Sequence, residues 1–245
     1  MLFQPTIEKL HDLRLLGMAK ALEEQAHSID YDALPFEDRL ALLVDRETTQ
    51  RDNHRLEGRL RKAKLRLTAT VEDIDYRHPR GLDKSLLLTL AGCRWIHERQ
   101  NCLIAGPTGV GKSYLACALA HKACREGYRA MYVRASRLFD ELSIAKADGR
   151  YRKILAAYAK FDLLVIDDWG LAILTEEQRR DMLEILEDRN DLRSTLLASQ
   201  VPIEKWHTVI GDPTLADAIL DRLVHNAHKL VLKGDSLRKR HKKES

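Results

Sequence analysis

The sequence predicts an α/β protein, a parallel sheet with helices on both faces, preceded by a small all-helical segment. Three observations predict it. From Asp83 onward, short apolar runs alternate with amphipathic stretches of ten or more residues, the rhythm of strands joined by helical crossovers. One of those runs opens directly into a glycine-rich loop and then a helix. Before residue 68 there is no such alternation, only apolar residues at three- and four-residue steps. The expected organisation is a helical domain over residues 1–67, a linker over 68–82, and an α/β domain over 83–245.

Taken in order, Ile7, Leu10 and Leu13 define a first helix, Gly17 a stop, and Met18 with Leu22 a second turn. Pro35 suits the first turn of a third helix, with Asp32 as its cap. That helix runs to about Leu67, with apolar stripes at Phe36, Leu40 and Leu43 and again at Leu56, Leu60, Ala63 and Leu67. Asp45–Arg55 between them is polar all round, so the middle of the helix should meet solvent, another subunit or nucleic acid. Arg77-His78-Pro79-Arg80-Gly81 breaks periodicity within the linker. Expected strands are Asn101–Ala105, Ala130–Arg134, Leu163–Asp167, Thr195–Ser199 and His228–Leu232.

Composition narrows the class. With 44% apolar and 32% charged residues, 12 Gly and 6 Pro in 245, disordered and collagen-like chains are excluded. No apolar run approaches the roughly 20 residues that span a bilayer, and Met1–His11 lacks the pattern of a signal sequence. A cytoplasmic protein without membrane contact is expected. Cys93, Cys102, Cys117 and Cys124 show no C-x-x-C spacing and read as reduced core residues. The net charge of +4 conceals segregation: residues 51–66 hold seven basic and two acidic side chains. Such a segment on a nearly neutral body suits a polyanionic partner.

Gly106-Pro107-Thr108-Gly109-Val110-Gly111-Lys112-Ser113 matches G-x-x-x-x-G-K-[ST] and follows an apolar strand, the context that pattern needs. Glycines let a tight loop aim backbone N–H groups at phosphate oxygens, and the following helix turns its positive end to them. Lys112 is placed to reach the β- and γ-phosphates of ATP, and the Ser113 hydroxyl to ligate Mg²⁺. Tyr114 completes the nucleotide-binding run. Leu163-Leu164-Val165-Ile166-Asp167-Asp168 reads as a buried strand whose carboxyl end presents Asp167 to Mg²⁺ and Asp168 to the attacking water. The other reading of Asp168 is a cap in the Trp169-Gly170 turn. Ser199 or Gln200, ending another strand, would approach the γ-phosphate, or would simply turn the chain before Pro202. Arg222, on the helix over residues 215–224, is either a salt-bridged surface residue or an arginine finger for a neighbouring subunit's nucleotide.

Arg51, Arg55, Arg59, Lys62 and Arg66 recur at steps of 4, 4, 3 and 4, which would put five positive charges on one helical face with no acidic stripe to neutralise it. No aromatic residue lies among them to stack bases. Backbone contact with double-stranded DNA is therefore expected over a single-strand platform.

The phosphate loop, Ile166-Asp167-Asp168-Trp169-Gly170, and Gly211-Asp212-Pro213-Thr214 through Leu220-Asp221-Arg222-Leu223-Val224-His225-Asn226-Ala227-His228 together resemble the IstB-type transposition helper ATPases. These are relatives of the DnaC helicase loaders within the AAA+ class. Leu13-Arg14-Leu15 with Gly17-Met18, and Arg39-Leu40-Ala41-Leu42-Leu43, resemble the family as well, so the similarity covers nearly the whole chain. The resemblance implies a P-loop AAA+ core with sheet order 5-1-4-3-2, ATP hydrolysis, homo-oligomers with ATP sites between subunits, assembly on DNA, and a cognate transposase as partner. It implies that Ser199 (or Gln200) is sensor 1, Arg222 the finger and Arg238 a sensor-2-like nucleotide contact. Asp168 stands where most AAA+ members carry Glu, and the 23 residues after Arg222 are too few for a separate helical lid.

Three functions follow from these features. A transposition helper would assemble with ATP on duplex DNA and recruit or stimulate its transposase. A DnaC-like helicase loader would bind single strands through its core. A nucleotide kinase would need an acceptor pocket and a mobile lid, whereas this chain carries an N-terminal helical module instead. The transposition helper is the reading the sequence favours.

Overall fold

The computed structural model describes residues 3–237. The chain divides into two compact units, Met1–Gly58 and Arg59–Ser245. The first contains α1 (Phe3–Asp12), α2 (Leu16–His27), a 3₁₀ turn at Ile29–Tyr31 and most of α3 (Phe36–Ala63).

The break between α1 and α2 falls at residues 13–15, with Arg14 at a φ of 57°, and not at Gly17 as expected from the sequence. Gly17 sits inside the first turn of α2 for a steric reason: a Cβ there would lie 2.7 Å from the Cα of Glu47 on α3. The first N–H groups of a helix have no partner within it. Here Gly17 N and Met18 N donate to Glu47 Oε2 at 2.7 and 3.2 Å. Burial pushes the Glu47 carboxyl up, but the hydrogen bonds from Arg51, Met18 and Gly17 outweigh it and hold the group below its ordinary value.

Asp32 ends the 3₁₀ turn instead of capping α3. Pro35 precedes that helix and accepts from Arg39 N at 3.1 Å. The expected stripe Phe36–Leu40–Leu43 is buried only at Leu43, and Phe36 and Leu40 stay exposed; α2 meets α3 through polar contacts, Gln25 with Arg39 and Gly17 with Glu47. The helix stops at Ala63, where Lys64 turns into left-handed backbone at φ 50°, four residues before the expected end at Leu67.

In the second unit, α4 (Lys84–Ala91) and α5 (Arg94–His97) lead to β1 (Asn101–Ala105) and α6 (Lys112–Arg125). Then come β2 (Ala130–Arg134), α7 (Ala135–Ala147), α8 (Tyr151–Ala159), β3 (Leu163–Trp169), α9 (Glu176–Glu187) and β4 (Ser194–Ser199). A 3₁₀ turn at Ile203–Lys205, α10 (Trp206–Ile210), α11 (Pro213–Val224) and β5 (Ala227–Val231) follow. The five expected strands are all present, with ends shifted by two residues at most.

All pairings are parallel, in the order β2-β3-β4-β1-β5, which is the implied 5-1-4-3-2 read from the other edge. The central strands are buried on both faces, so they are continuous apolar runs: Leu163–Ile166 and Leu196–Ala198 are all fully buried. On α6, residues 115–120 are at most 1% exposed, so the helix is buried all round at its middle. Trp169 and Trp206, both fully buried, meet edge to face with ring centres 6.2 Å apart and close the core beside the carboxyl end of β3. No helix follows β5 among the described residues, and no separate C-terminal lid is evident. Nor is any described helix long and apolar enough to cross a membrane.

Candidate nucleotide-binding site

β1 delivers the chain to the loop at residues 106–111, and α6 carries it away. Gly111 caps α6 in left-handed backbone (φ 96°) with no side-chain cap, so the first N–H groups of the helix are not taken by a capping side chain. Gly106, at φ 154°, is hemmed by backbone: a Cβ there would meet the Leu232 carbonyl oxygen at 2.6 Å. Lys112 is buried, and its Nζ donates to the carbonyls of Gly106 and Pro107 at 2.8 and 2.7 Å. The ammonium is thereby held against the start of the loop by two of its carbonyls. Pro107, Thr108, Gly109, Val110, Ser113 and Tyr114 fall on this loop and the first turn of α6, as the motif requires.

The carboxyl ends of β3 and β4 bring the other candidates to the same edge of the sheet. The pairing of β3 with β4 is irregular between Ile166 and Trp169, and Asp168, at φ 59°, is the residue that steps out of register. Asp tolerates this left-handed conformation better than most side chains. The step turns Asp168 toward a half-open position, while Asp167 stays 1% exposed. Both Asp167 oxygens are engaged: Oδ1 accepts from Asp168 N at 2.8 Å and Oδ2 from the Tyr132 hydroxyl at 2.6 Å.

Ser199 and Gln200, indistinguishable in sequence, part company here. Ser199 is fully buried; its Oγ donates to the Trp169 carbonyl at 2.7 Å and accepts from Val201 N at 3.0 Å. Gln200 instead hydrogen-bonds Thr108 of the loop. Gln200 is therefore the strand-end side chain that reaches the loop.

Arg222 lies at the opposite end of the sheet. Its carbonyl accepts from Asn101 Nδ2 at 2.8 Å, at the amino end of β1. Five residues of strand, roughly 16 Å at ~3.3 Å per residue, separate that point from the loop. The guanidinium is held by Glu187 and by the Ala218 carbonyl, the latter at 2.7 Å. Arg238 lies outside the described residues. The segment before it does reach the loop, since Leu237 N donates to the Gly109 carbonyl at 3.0 Å.

The basic face dissolves into different environments. Arg51 pairs with Glu47, four residues before it, at 2.6 Å, and Arg55 with Asp52, three residues before it, at 3.2 Å, so two of the five charges have acidic partners on α3 itself. Arg59 donates to the Cys124 carbonyl at 2.7 Å, and Lys62 is exposed. Arg66 is not on α3 at all, because the helix has ended; its guanidinium is 3.9 Å from Asp168 Oδ2.

Two further residues of this edge contribute to the site. Tyr132 lies inside the strand Ala130–Arg134. Arg80, inside the expected linker, is 3% exposed and ties that segment to the loop by donating to the Val110 carbonyl at 3.0 Å and to the Asp75 carbonyl at 2.9 Å. Neither carries a spacing that could have marked it. The four cysteines are buried free thiols, and burial pushes Cys102 up to about 12 and Cys93 up to about 11, as suits packing residues.

A parallel sheet in this order, with a P-loop after β1 and an acidic end to β3, one strand away across β4, is the fold of the AAA+ type of nucleotide-binding protein. Solved structures with this fold include DnaI (TM-score 0.59, 20% identity, covering 67% of this chain and 91% of that one) and the DnaC helicase loader (0.54, 24%, 65% and 95%). The chain belongs to the IstB-like ATP binding protein family, which it matches over residues 8–245. It is 50% identical over the full length of both chains to an insertion sequence ATP-binding protein of Sinorhizobium fredii, y4pL. It is 51% identical to the ATP-binding protein of insertion sequence IS1162 from Pseudomonas fluorescens, over 82% of this chain and 88% of that one.

Proposed function

We propose that this protein is an ATP-hydrolysing transposition helper that assembles with ATP on duplex DNA and recruits or stimulates a transposase. The observation that carries the assembly is the position of Arg222, at the far end of the sheet from its own loop. An arginine finger there serves a neighbour's nucleotide, so the site is complete only between subunits. The names of the relatives, ATP-binding proteins of insertion sequences, support the transposition role.

In this reading Lys112 and the loop amides bind the β- and γ-phosphates, Gln200 faces the γ-phosphate, and Asp168 takes the proton of the attacking water. Mg²⁺ suits the donors present, the Ser113 hydroxyl and the Asp167 carboxylate, because it takes few protein oxygens and fills its shell with phosphates and water. When bound, it neutralises charge on the phosphates. Residues 1–67 form the DNA- and partner-binding module, 68–82 the linker and 83–245 the ATPase. Arg51, Arg55 and Lys62 contact phosphates. The pairs that Arg51 and Arg55 make are exposed on the arginine side and worth about 1 kcal/mol or less, so phosphate can displace them.

Binding of labelled duplex and single-stranded DNA, with ATP and without, tests the function. Duplex binding should tighten with ATP, and replacing Arg51, Arg55 and Lys62 by Ala should flatten the slope of log affinity against log salt by roughly 0.9 for each lost contact. Preference for single strands would favour a helicase loader.

A further inference from the structure

Asp167 is a buried carboxylate with two protein donors, and only one of them is backbone. Asp168 N follows from the local chain. The Tyr132 hydroxyl comes from the neighbouring strand. Tyr132 pairs in register with Val165, so its side chain leaves the sheet on the same face as Asp167, two residues further along β3. Its ring is 7% exposed, and its oxygen lies 2.6 Å from Asp167 Oδ2. Arg66, three residues past the end of α3, lines one cavity with Tyr132 and sets its guanidinium 3.9 Å from Asp168 Oδ2, and the phenol beside it favours the guanidinium's charge.

The chemistry of the three groups orders the contacts. Guanidinium only donates and an ionised carboxylate only accepts, whereas a phenol does both. With Arg66 on one side and Asp167 on the other, the hydroxyl proton has one place to go, Oδ2. Two donors on two oxygens fix the carboxylate plane, and each oxygen keeps a lone pair for a ligand. A phenylalanine would fill the same space without needing a partner, so packing alone does not call for the hydroxyl.

We infer that Tyr132 is a positioning residue for the Mg²⁺-binding carboxylate Asp167, with Arg66 orienting its hydroxyl and thereby tying the segment after α3 to the ATP site. This rests on the reading of Asp167 as the Mg²⁺ ligand. Partners that orient metal-binding carboxylates typically contribute 10- to 100-fold in metal affinity or activity.

The experiment measures affinity of the full chain for the β,γ-imido analogue of ATP, first in excess EDTA and then across a Mg²⁺ series. Tyr132→Phe should bind the analogue in EDTA within twofold of the parent, yet need roughly tenfold more Mg²⁺ to reach half of the metal-dependent gain. Arg66→Ala should shift the Mg²⁺ midpoint in the same direction by less. Adding it to Tyr132→Phe should cause no further shift, since it acts through that hydroxyl. An unchanged midpoint in Tyr132→Phe, with Asp167→Asn displaced, overturns the assignment of Tyr132 while leaving Asp167 in place. A midpoint that Asp167→Asn does not move overturns the reading of Asp167 and this inference with it. Equal loss in EDTA and in Mg²⁺, with a lowered melting temperature, would make Tyr132 a packing residue only.

Discussion

Gly106→Ala is the sharpest structural probe of the loop. The residue is held from both sides: its N–H donates to the Ser199 carbonyl at 3.2 Å, and the carbonyl before it, Ala105, accepts from Leu232 N at 2.8 Å. A new Cβ would lie 2.6 Å from the Leu232 carbonyl oxygen and 2.9 Å from Leu232 Cβ, so it cannot be accommodated by swinging a side chain. A non-glycine residue at φ 154° costs about 1–3 kcal/mol. Overpacking against fixed backbone adds about 1–3 kcal/mol. The sum, roughly 2–6 kcal/mol, is a large part of the 5–15 kcal/mol typical of a domain. At about 2–4 °C per kcal/mol, the second unit should melt roughly 5–20 °C lower. If the loop yields instead of the sheet, the loss appears in ATP affinity, about tenfold for each 1.4 kcal/mol. Thermal melts and equilibrium ATP binding, measured together, give both parts. Gly58→Ala is the control: a Cβ there meets nothing within 4 Å, and the helical position should gain about 0.5–1 kcal/mol. A Gly106→Ala protein with a parental melting temperature and parental ATP affinity would refute the steric argument.

Three further outcomes are expected. Lys112→Ala should abolish tight ATP binding, whereas Asp168→Asn should bind ATP and lose turnover; equal loss of both activities in Asp168→Asn would remove its role as base. Arg222→Ala should lower ATP hydrolysis by 10³-fold or more, and mixing it with Asp168→Asn subunits should restore part of the rate. No recovery at any ratio, in oligomers shown to be mixed, would confine Arg222 to its own chain. Glu47→Gln should destabilise the first unit by about 1–3 kcal/mol, by weakening the charged acceptor of Gly17 N and Met18 N. Because the Glu47 carboxyl is held below its ordinary value of 4.5, its contribution is present above that pH and fades as pH falls through the lower, folded value. Circular dichroism melts at pH 7 and at acid pH should therefore differ less between variant and parent under acid conditions; a constant gap would contradict it.

Much of the core was legible because its signals are local. A fully buried parallel strand must be a continuous apolar run, and a phosphate loop must be rich in glycine, so β1, β3 and residues 106–113 announce themselves within a few residues. The helical segment was less legible. Gly17 reads as a helix stop by propensity, yet it is a helical residue kept small by Glu47, thirty positions away. Lys64 ends α3 with no glycine or proline to mark the place, and that ending is what removes Arg66 from the basic face.

The sequence by itself therefore determined the α/β core, the phosphate loop with its lysine, and the acidic end of β3, since each is dictated by neighbours along the chain. Only the tertiary structure decided which strand-end side chain reaches Thr108, which carbonyls Arg80 braces, and where Tyr132 and Arg66 point. Those depend on strand order, on a register step of one residue at Asp168, and on a left-handed turn at Lys64. Strand pairing brings Tyr132 to Asp167 across 35 residues of chain, a juxtaposition that no periodicity encodes. The position of Arg222 was decided in the same way: its backbone is pinned to Asn101 at the amino end of β1, so the sheet itself stands between this arginine and its own loop.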